Sequence, residues 1–233
     1  MAKLSYLVVT AGGMGTRMGA DRPKQFLSLD GVPVLRLTIE RFCQAVPDLH
    51  IVTVLPKDWL GWWRTYCLEK NFPQPQTLVA GGITRFHSVR NALARVPEGA
   101  VVAVHDGVRP FISAAKIREM FSLMEDGRRA LIPVLPSTDT LRALSKGDDG
   151  LQVIEGQKLD RSQVWRVQTP QLFLSEELKA AYRQAYDPAF TDDGSVAEAA
   201  GIPLTFCEGE RFNLKLTTPD DLVFAQAVRH LMP

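Results

Sequence analysis

Short, continuous apolar runs alternate along the chain with segments whose apolar residues recur every three or four positions. Tyr6-Leu7-Val8-Val9-Thr10, Ile51 to Leu55, Thr77-Leu78-Val79 and Ala100 to Val104 read as strands. Leu131 to Leu135 is a further candidate, which Pro133 weakens or moves towards a sheet edge because proline has no N–H for a ladder. Uniformly apolar rather than alternating runs imply cover on both faces, as in a parallel sheet. Leu35, Ile39 and Phe42 form one helical stripe, and Val89, Leu93 and Val96 a second. Ser113 suits an N-cap ahead of Ile117, Met120, Phe121 and Met124, which share a face and read as core. The alternation predicts a Rossmann-like, doubly wound α/β fold with a mostly parallel sheet.

Between about residues 137 and 168 the rhythm breaks. Thr138 to Arg142 and Leu151 to Glu155 read as extended segments joined by the turn-rich Lys146-Gly147-Asp148-Asp149-Gly150, which predicts a projecting β-arm. Helical pattern returns after Ser175. The last helix starts with Thr218 as N-cap, Pro219 at its first position and Asp221 at its third, close to a capping box. The 233 residues then amount to one domain with an arm, where length alone suggests about 1.6 domains.

Composition excludes more than it identifies. The formal charge is +1, so the polyanion-coating surface of a nucleic-acid binder and a polybasic membrane patch are not expected. At 45% hydrophobic and 23% charged residues the chain has a sizeable core to bury and is not disordered in bulk. No run of eighteen apolar residues is long enough to span a bilayer, and the N-terminus does not read as a signal peptide. Cys43, Cys67 and Cys207 form neither a CxxC pair nor a zinc spacing; buried free thiols in a reducing cytoplasm are expected.

The first strand runs into Ala11-Gly12-Gly13-Met14-Gly15-Thr16-Arg17, at the strand end where open α/β sheets bind ligands. Glycines let backbone N–H groups approach a phosphate chain, and Arg17 adds charge. No Gly-Lys pair follows at Walker spacing, and Met18 stands where a dinucleotide fingerprint needs its third glycine, so both common phosphate loops fail. Through Lys24, the cations Lys3, Arg17, Arg22 and Lys24 face Asp21 alone, a local +3 that suits a triphosphate better than a plain tight turn with solvated charges.

AGGxGTRM followed by PKQF resembles the nucleotidyltransferases that join a sugar or polyol phosphate to a nucleoside triphosphate. Gly81-Gly82-Ile83-Thr84-Arg85-Phe86-His87-Ser88-Val89, His105-Asp106-Gly107-Val108-Arg109-Pro110-Phe111, Asp160-Arg161, Gln168-Thr169-Pro170-Gln171 and Asn213-Leu214-Lys215 are similar to the cytidylyltransferase branch, and within it to the enzymes acting on 2-C-methyl-D-erythritol 4-phosphate in the non-mevalonate isoprenoid route. The blocks cover essentially the whole chain.

That resemblance implies CTP at Ala11, Gly12, Gly13, Gly15, Gly82 and Ser88, the last two recognising the pyrimidine edge. Relatives often carry an acidic residue where this chain has Ile83, which puts any side-chain contact there in doubt. Asp106, ending a strand, is expected to hold Mg²⁺ against phosphate oxygens and, with Arg109, Thr140, Arg161 and Thr191, to bind the acceptor; His105 is expected to be structural. Arg17, Lys24, Arg161 and Lys215 are the expected catalytic residues, with Lys215 near the α-phosphate. The family's arm reaches across a homodimer and completes the neighbour's site. The implied chemistry is in-line attack by the acceptor phosphate on the α-phosphorus of CTP, with no covalent enzyme intermediate, so that catalysis rests on positioning and charge.

Ribitol-5-phosphate cytidylyltransferases share PKQF, HDxVRPF and QTPQ. The Gly-Gly-x-x-Arg-x-x-Ser-Val block and the spacing of Asp160, Arg161, Trp165 and Gln168 lean to the methylerythritol enzymes. Gly12-Gly13 and Thr10 are the features that favour a sugar-1-phosphate pyrophosphorylase. A nucleotide-binding regulator without turnover is the alternative from another class, against which Arg17, Lys24, Asp106, Arg161 and Lys215 stand together.

Overall fold

The computed structural model describes residues 3–13, 22–147, 150–154, 156 and 158–231. The chain starts with β1 (Ser5–Thr10), the small pair β2 (Ser28–Leu29) and β3 (Val32–Pro33), and α1 (Val34–Ala45). Then come β4 (His50–Leu55), α2 (Leu60–Glu69), β5 (Gln76–Ala80), α3 (Arg85–Leu93), β6 (Val101–Asp106), α4 (Ala114–Glu125) and β7 (Ala130–Pro136). A hairpin of β8 (Leu144–Gly147) and β9 (Gly150–Val153) precedes β10 (Trp165–Val167) and β11 (Gln171–Leu174), and α5 (Ser175–Ala181), α6 (Asp193–Ala199), β12 (Thr205–Glu208) and α7 (Pro219–Leu231) close the described fold.

The main sheet runs β10-β7-β11-β6-β1-β4-β5, with β12 on the other side of β7. β1, β4, β5 and β6 are parallel, and β11 runs antiparallel between β6 and β7, so the doubly wound, mostly parallel expectation holds. Side chains leave these strands alternately for two cores. Val8, Val52, Val54, Val102 and Val104 meet Phe86, Val89, Leu93 and Tyr182 on one face. Leu7, Val9, Ile51, Leu55 and Ala103 meet Leu35, Ile39, Phe42, Trp63, Ile117 and Met120 on the other. A smaller core of Leu29, Val34, Val108, Phe111, Leu216, Ala225 and Val228 seats α7 beside the β2–β3 pair.

Three expectations change. β7 is an interior strand rather than an edge: β12 pairs along one side, and β10 and β11 along the other. Pro133 is accommodated because the break between β10 and β11 lies opposite it; its carbonyl still accepts from Gln168 N at 2.9 Å. In the arm, Thr138 to Arg142 is not a strand: Leu144↔Val153 through Gly147↔Gly150 is the paired register. Lys146 and Gly147 therefore belong to the hairpin instead of its turn, and β10 pairs with β7 in the main sheet. The three cysteines are free but half-buried.

Both N-cap expectations have a structural counterpart. Ser113 Oγ accepts from Lys116 N at 3.0 Å. At α7 the Asp221 carboxylate takes the leading part, accepting from the N–H groups of Thr217 and Thr218 at 2.7 and 2.8 Å. No helix among the described residues is long and apolar enough to cross a membrane.

Candidate active site

The register Thr10↔Val54, Thr10↔Asp106 and Leu55↔Ala80 aligns the C-terminal ends of β1, β4, β6 and β5 on one sheet edge. Ala11, Gly12 and Gly13 leave β1 there, Gly81 and Gly82 leave β5, and Asp106 ends β6. Ala11 N donates to Val54 O and Gly81 N to Leu55 O, so each loop starts as a continuation of the ladder.

Gly12 and Gly81 then touch backbone to backbone. A methyl group on Gly12 would lie 3.4 Å from Gly81 Cα and from Ser88 Oγ, and one on Gly82 only 2.5 Å from His87 Cβ. Gly82 therefore admits no side chain, and the two loops close on each other around the Ser88 hydroxyl. Ser88, buried on α3, accepts from Gly82 N at 3.0 Å and donates to Thr84 O at 3.0 Å. Two residues expected to meet the base therefore hold each other: the serine fixes the turn, and a lone pair on its oxygen remains for a ligand. Ile83 is 95% exposed and shapes no wall.

Asp106 is the electrostatic centre. Its Oδ2 lies 3.0 Å from both Lys215 Nζ and Arg109 Nε, its Oδ1 4.0 Å from Arg85 Nε, and Thr10 Oγ1 points at Oδ1 from 3.5 Å. Burial alone would push this carboxyl up; Lys215, Arg85 and Arg109 together outweigh burial and hold it well below the usual carboxylate range. Asp106 is consequently an anion across the working pH range. Three cations already face the carboxylate expected to meet Mg²⁺.

Behind Asp106, His105 is fully buried. Its Nε2 lies 3.1 Å from Arg109 O, a group that only accepts, so Nε2 carries the proton. Nδ1 then accepts from Thr169 Oγ1 at 3.1 Å, and that hydroxyl accepts from Asp106 N at 3.0 Å. Burial pulls the imidazole down to about 4, so it is neutral and structural, as expected from the sequence. Lys215 is delivered by a tethered segment: Arg109 Nη1 donates to Asn213 O at 2.9 Å, Asn213 Nδ2 to Thr169 O at 2.8 Å, and Gln168 Nε2 to Glu210 O at 2.9 Å.

A second ion pair supports the first. Arg85 makes a forked contact to the fully buried Asp193, which also accepts from Tyr182 Oη at 2.6 Å. Arg85 thereby links the Gly82–Ser88 turn, the Asp106 cluster and the segment that follows Thr191.

Of the expected site residues, Ala11, Gly12, Gly13, Gly82, Ser88, Asp106, Arg109 and Lys215 gather at this edge. Lys24 sits half-buried in a single 3-10 turn, Lys24–Phe26, whose Gln25 donates back to that edge. Gly15 and Arg17 lie outside the described residues. Thr140, Arg161 and Thr191 are exposed, and no hydrogen bond or ion pair joins them to Asp106, Arg109 or Lys215. Arg161 Nη1 instead donates to Thr138 O at 3.2 Å, within the arm. Sequence reading assigned no role to Gln25, Arg85, Asp193, Thr169 or Asn213; all but Asp193 stood inside the quoted motifs, which was the available signal.

The family model described as 2-C-methyl-D-erythritol 4-phosphate cytidylyltransferase matches residues 5–230. The chain is 48% identical over 227 residues to the protein of that name from Porphyromonas gingivalis, covering 97% of this chain and 98% of that one. To the protein of that name from Bacteroides thetaiotaomicron it is 45% identical over 222 residues, covering 95% and 98%. Among solved structures, the 4-diphosphocytidyl-2C-methyl-D-erythritol synthase of Anaerococcus prevotii superposes with a TM-score of 0.79 at 25% identity, over 98% of this chain and 97% of that one.

Proposed function

This chain belongs to the 2-C-methyl-D-erythritol 4-phosphate cytidylyltransferase family, and from that premise we propose how its residues carry the reaction. The enzyme transfers the cytidylyl group of CTP to 2-C-methyl-D-erythritol 4-phosphate, giving 4-diphosphocytidyl-2-C-methyl-D-erythritol and pyrophosphate, in isoprenoid precursor synthesis. A phosphate oxygen of the acceptor attacks the α-phosphorus in line; the new P–O bond forms as the bond to the β-phosphate oxygen breaks, and pyrophosphate leaves with that electron pair.

The observation that carries the assignment of roles is the pairing of Lys215 and Arg109 with Asp106 at the sheet edge from which the glycine loops leave. The Gly82 and Ser88 edge takes the cytosine, selecting a pyrimidine by hydrogen bonds and fit. Ala11, Gly12, Gly13 and Gly15 are assigned to the triphosphate, and Arg17 and Lys24 to stabilising charge on the transferring and leaving phosphates. Lys215, held by Asp106, faces the α-phosphate, while Asp106 and Arg109 border the acceptor. Because Asp106 is committed to cations, no step runs through a protein-bound metal. We propose that the nucleotide is used as its magnesium complex, in which the ion would offset phosphate charge.

The arm supports a homodimer. Leu144, Leu151 and Val153 are exposed on a hairpin of two four-residue strands, too small to be stable alone in water. Trp165, Val167 and Phe206 line an apolar depression of about 580 Å³ on the main sheet. A second copy of the chain would cover such surfaces and bring Thr140 and Arg161 to its neighbour's acceptor, with Thr191 adding a hydroxyl there. A cytoplasmic location is part of the same proposal, supported by three unpaired cysteines.

The test is pyrophosphate release with CTP, UTP, ATP and GTP, each paired with methylerythritol phosphate and with ribitol phosphate. CTP with methylerythritol phosphate should be the productive pair. Turnover with ribitol phosphate instead would move the chain to the other cytidylyltransferase branch, and none with any pair would leave a nucleotide-binding regulator.

A further inference from the structure

Gln25 has a side chain that the reaction as described leaves unused, yet it is 1% exposed and fully engaged at its amide nitrogen. Nε2 donates to Ala11 O at 2.6 Å and to Gly13 O at 3.1 Å. Both acceptors belong to the loop assigned to the triphosphate. Gln25 is also the central residue of the turn Lys24–Phe26, so the residue before it is the candidate catalytic lysine.

The turn itself is held independently of this contact. Phe26 N donates to Pro23 O at 2.9 Å and Leu27 N to Lys24 O at 3.1 Å. On the far side, Phe26 is buried among Trp59, Trp62 and Trp63, with ring centroids 5.1, 4.7 and 5.9 Å away. These aromatics anchor the turn to the body of the protein, and Gln25 is then its tether to the loop. An N–H pair that engages two carbonyls of a short loop fixes which face of its peptide units is turned inward. The opposing N–H groups of such units are the ones a phosphate chain needs.

We propose that Gln25 is a positioning residue for the donor nucleotide: by holding the carbonyls of Ala11 and Gly13 it sets the loop amides and Lys24 in one register against the triphosphate. It touches no reacting atom. The assignment rests on the glycine loop and Lys24 binding the triphosphate, as proposed above, and it concerns CTP rather than the acceptor.

Two variants test it in the full-length enzyme. Gln25→Met keeps length and shape without a donor. Gln25→Glu also lacks the donor while ionised but regains an O–H when protonated, a form that burial beside two carbonyls favours. Relative to the parent enzyme at pH 8.5, both should lose about tenfold in kcat/KM for CTP, the size of one well-made hydrogen bond. The KM for methylerythritol phosphate should stay within about twofold. Lowering the pH to 6 should narrow the deficit of Gln25→Glu and leave that of Gln25→Met unchanged, a readout that a purely structural role would not move.

Parent-like kcat/KM for CTP in both variants overturns the proposal. So does an equal loss for CTP and acceptor accompanied by a lower melting temperature. If Gln25→Glu fails to fold, Gln25→Met still decides through its split between CTP and acceptor. An inactive parent enzyme would be a failure of the cytidylyl-transfer reading, a separate result.

Discussion

Lys215 Nζ rests 3.0 Å from Asp106 Oδ2, so an ammonium assigned to the α-phosphate is already oriented by an anion before any substrate arrives. Charge that needs no rearrangement at the moment of reaction is the most effective kind for a phosphoryl transition state. Asp106→Asn keeps the shape of the side chain and removes that anion. It should lower kcat by about 100-fold, by analogy with loss of one preorganised electrostatic contact, without raising the KM for CTP. Steady-state kinetics with each substrate varied in turn would check it; an unchanged kcat would make the pairing incidental.

Lys24→Ala should chiefly lower the maximal rate, and Arg161→Ala should chiefly raise the KM for methylerythritol phosphate. Because the two residues are assigned to different chains of one shared site, mixing the two variants after subunit exchange should restore turnover. Random re-pairing makes about half the dimers mixed, each with one intact site, so about a quarter of parental activity is expected. Failure of the mixture to regain activity, with exchange verified by mass, would place Arg161 in its own chain's site.

Arg85 and Asp193 form a forked ion pair whose carboxylate is fully buried. Asp193→Asn leaves the guanidinium and the Tyr182 hydroxyl with an uncharged partner. Because Arg85 is partly exposed, the cost should fall near the lower end for a broken buried pair, about 3 kcal/mol. Urea unfolding of parent and variant measures it, and a difference within error would show that Arg85 is served by Asp106 instead.

Asp221 caps α7, and its carboxyl is held below its ordinary value: burial would raise it, but bonds from Thr217 and Thr218 prevail. A carboxyl with a depressed folded value adds stability above its unfolded pKa of about 3.9, and that stability is lost as pH falls through the folded value. Asp221→Asn should therefore cost about 1 kcal/mol at pH 7, and the gap between parent and variant should close as pH falls below the unfolded value of about 3.9. Thermal melts over that range would show it; a gap that persists in acid would mean the cap acts through shape alone.

The sheet was legible because its strands are apolar throughout, and the helices because their stripes keep a helical period. Pro133 misled about position: one residue cannot reveal that the neighbouring strand breaks opposite it. The arm was legible as turn-rich sequence but not in register, since Leu144 to Gly147 has no alternating pattern to separate it from Thr138 to Arg142. At the site, Asp106, Lys215, Gly82 and Ser88 stood in recognisable blocks. Their partnerships did not, because Arg85 reaches Asp106 from a helix after another strand, Lys215 arrives on a loop tethered by Arg109, Thr169 and Gln168, and Asp193 has no motif around it. Gln25 was in plain view within PKQF, but nothing local says that its amide turns back to Ala11 and Gly13.

The contact between Gly12 and Gly81 bears on how the enzyme can change over evolutionary time. Where a binding cleft is lined by side chains, single substitutions offer a graded path from one preferred nucleobase to another. Here two different loops meet at glycines against the Ser88 hydroxyl, and the side chain at position 83 points into solvent. With the base assigned to this edge, a shift in base preference would call for changes in both loops. Acceptor choice, by contrast, is assigned in part to Thr140 and Arg161 on an exposed arm and stays open to stepwise change.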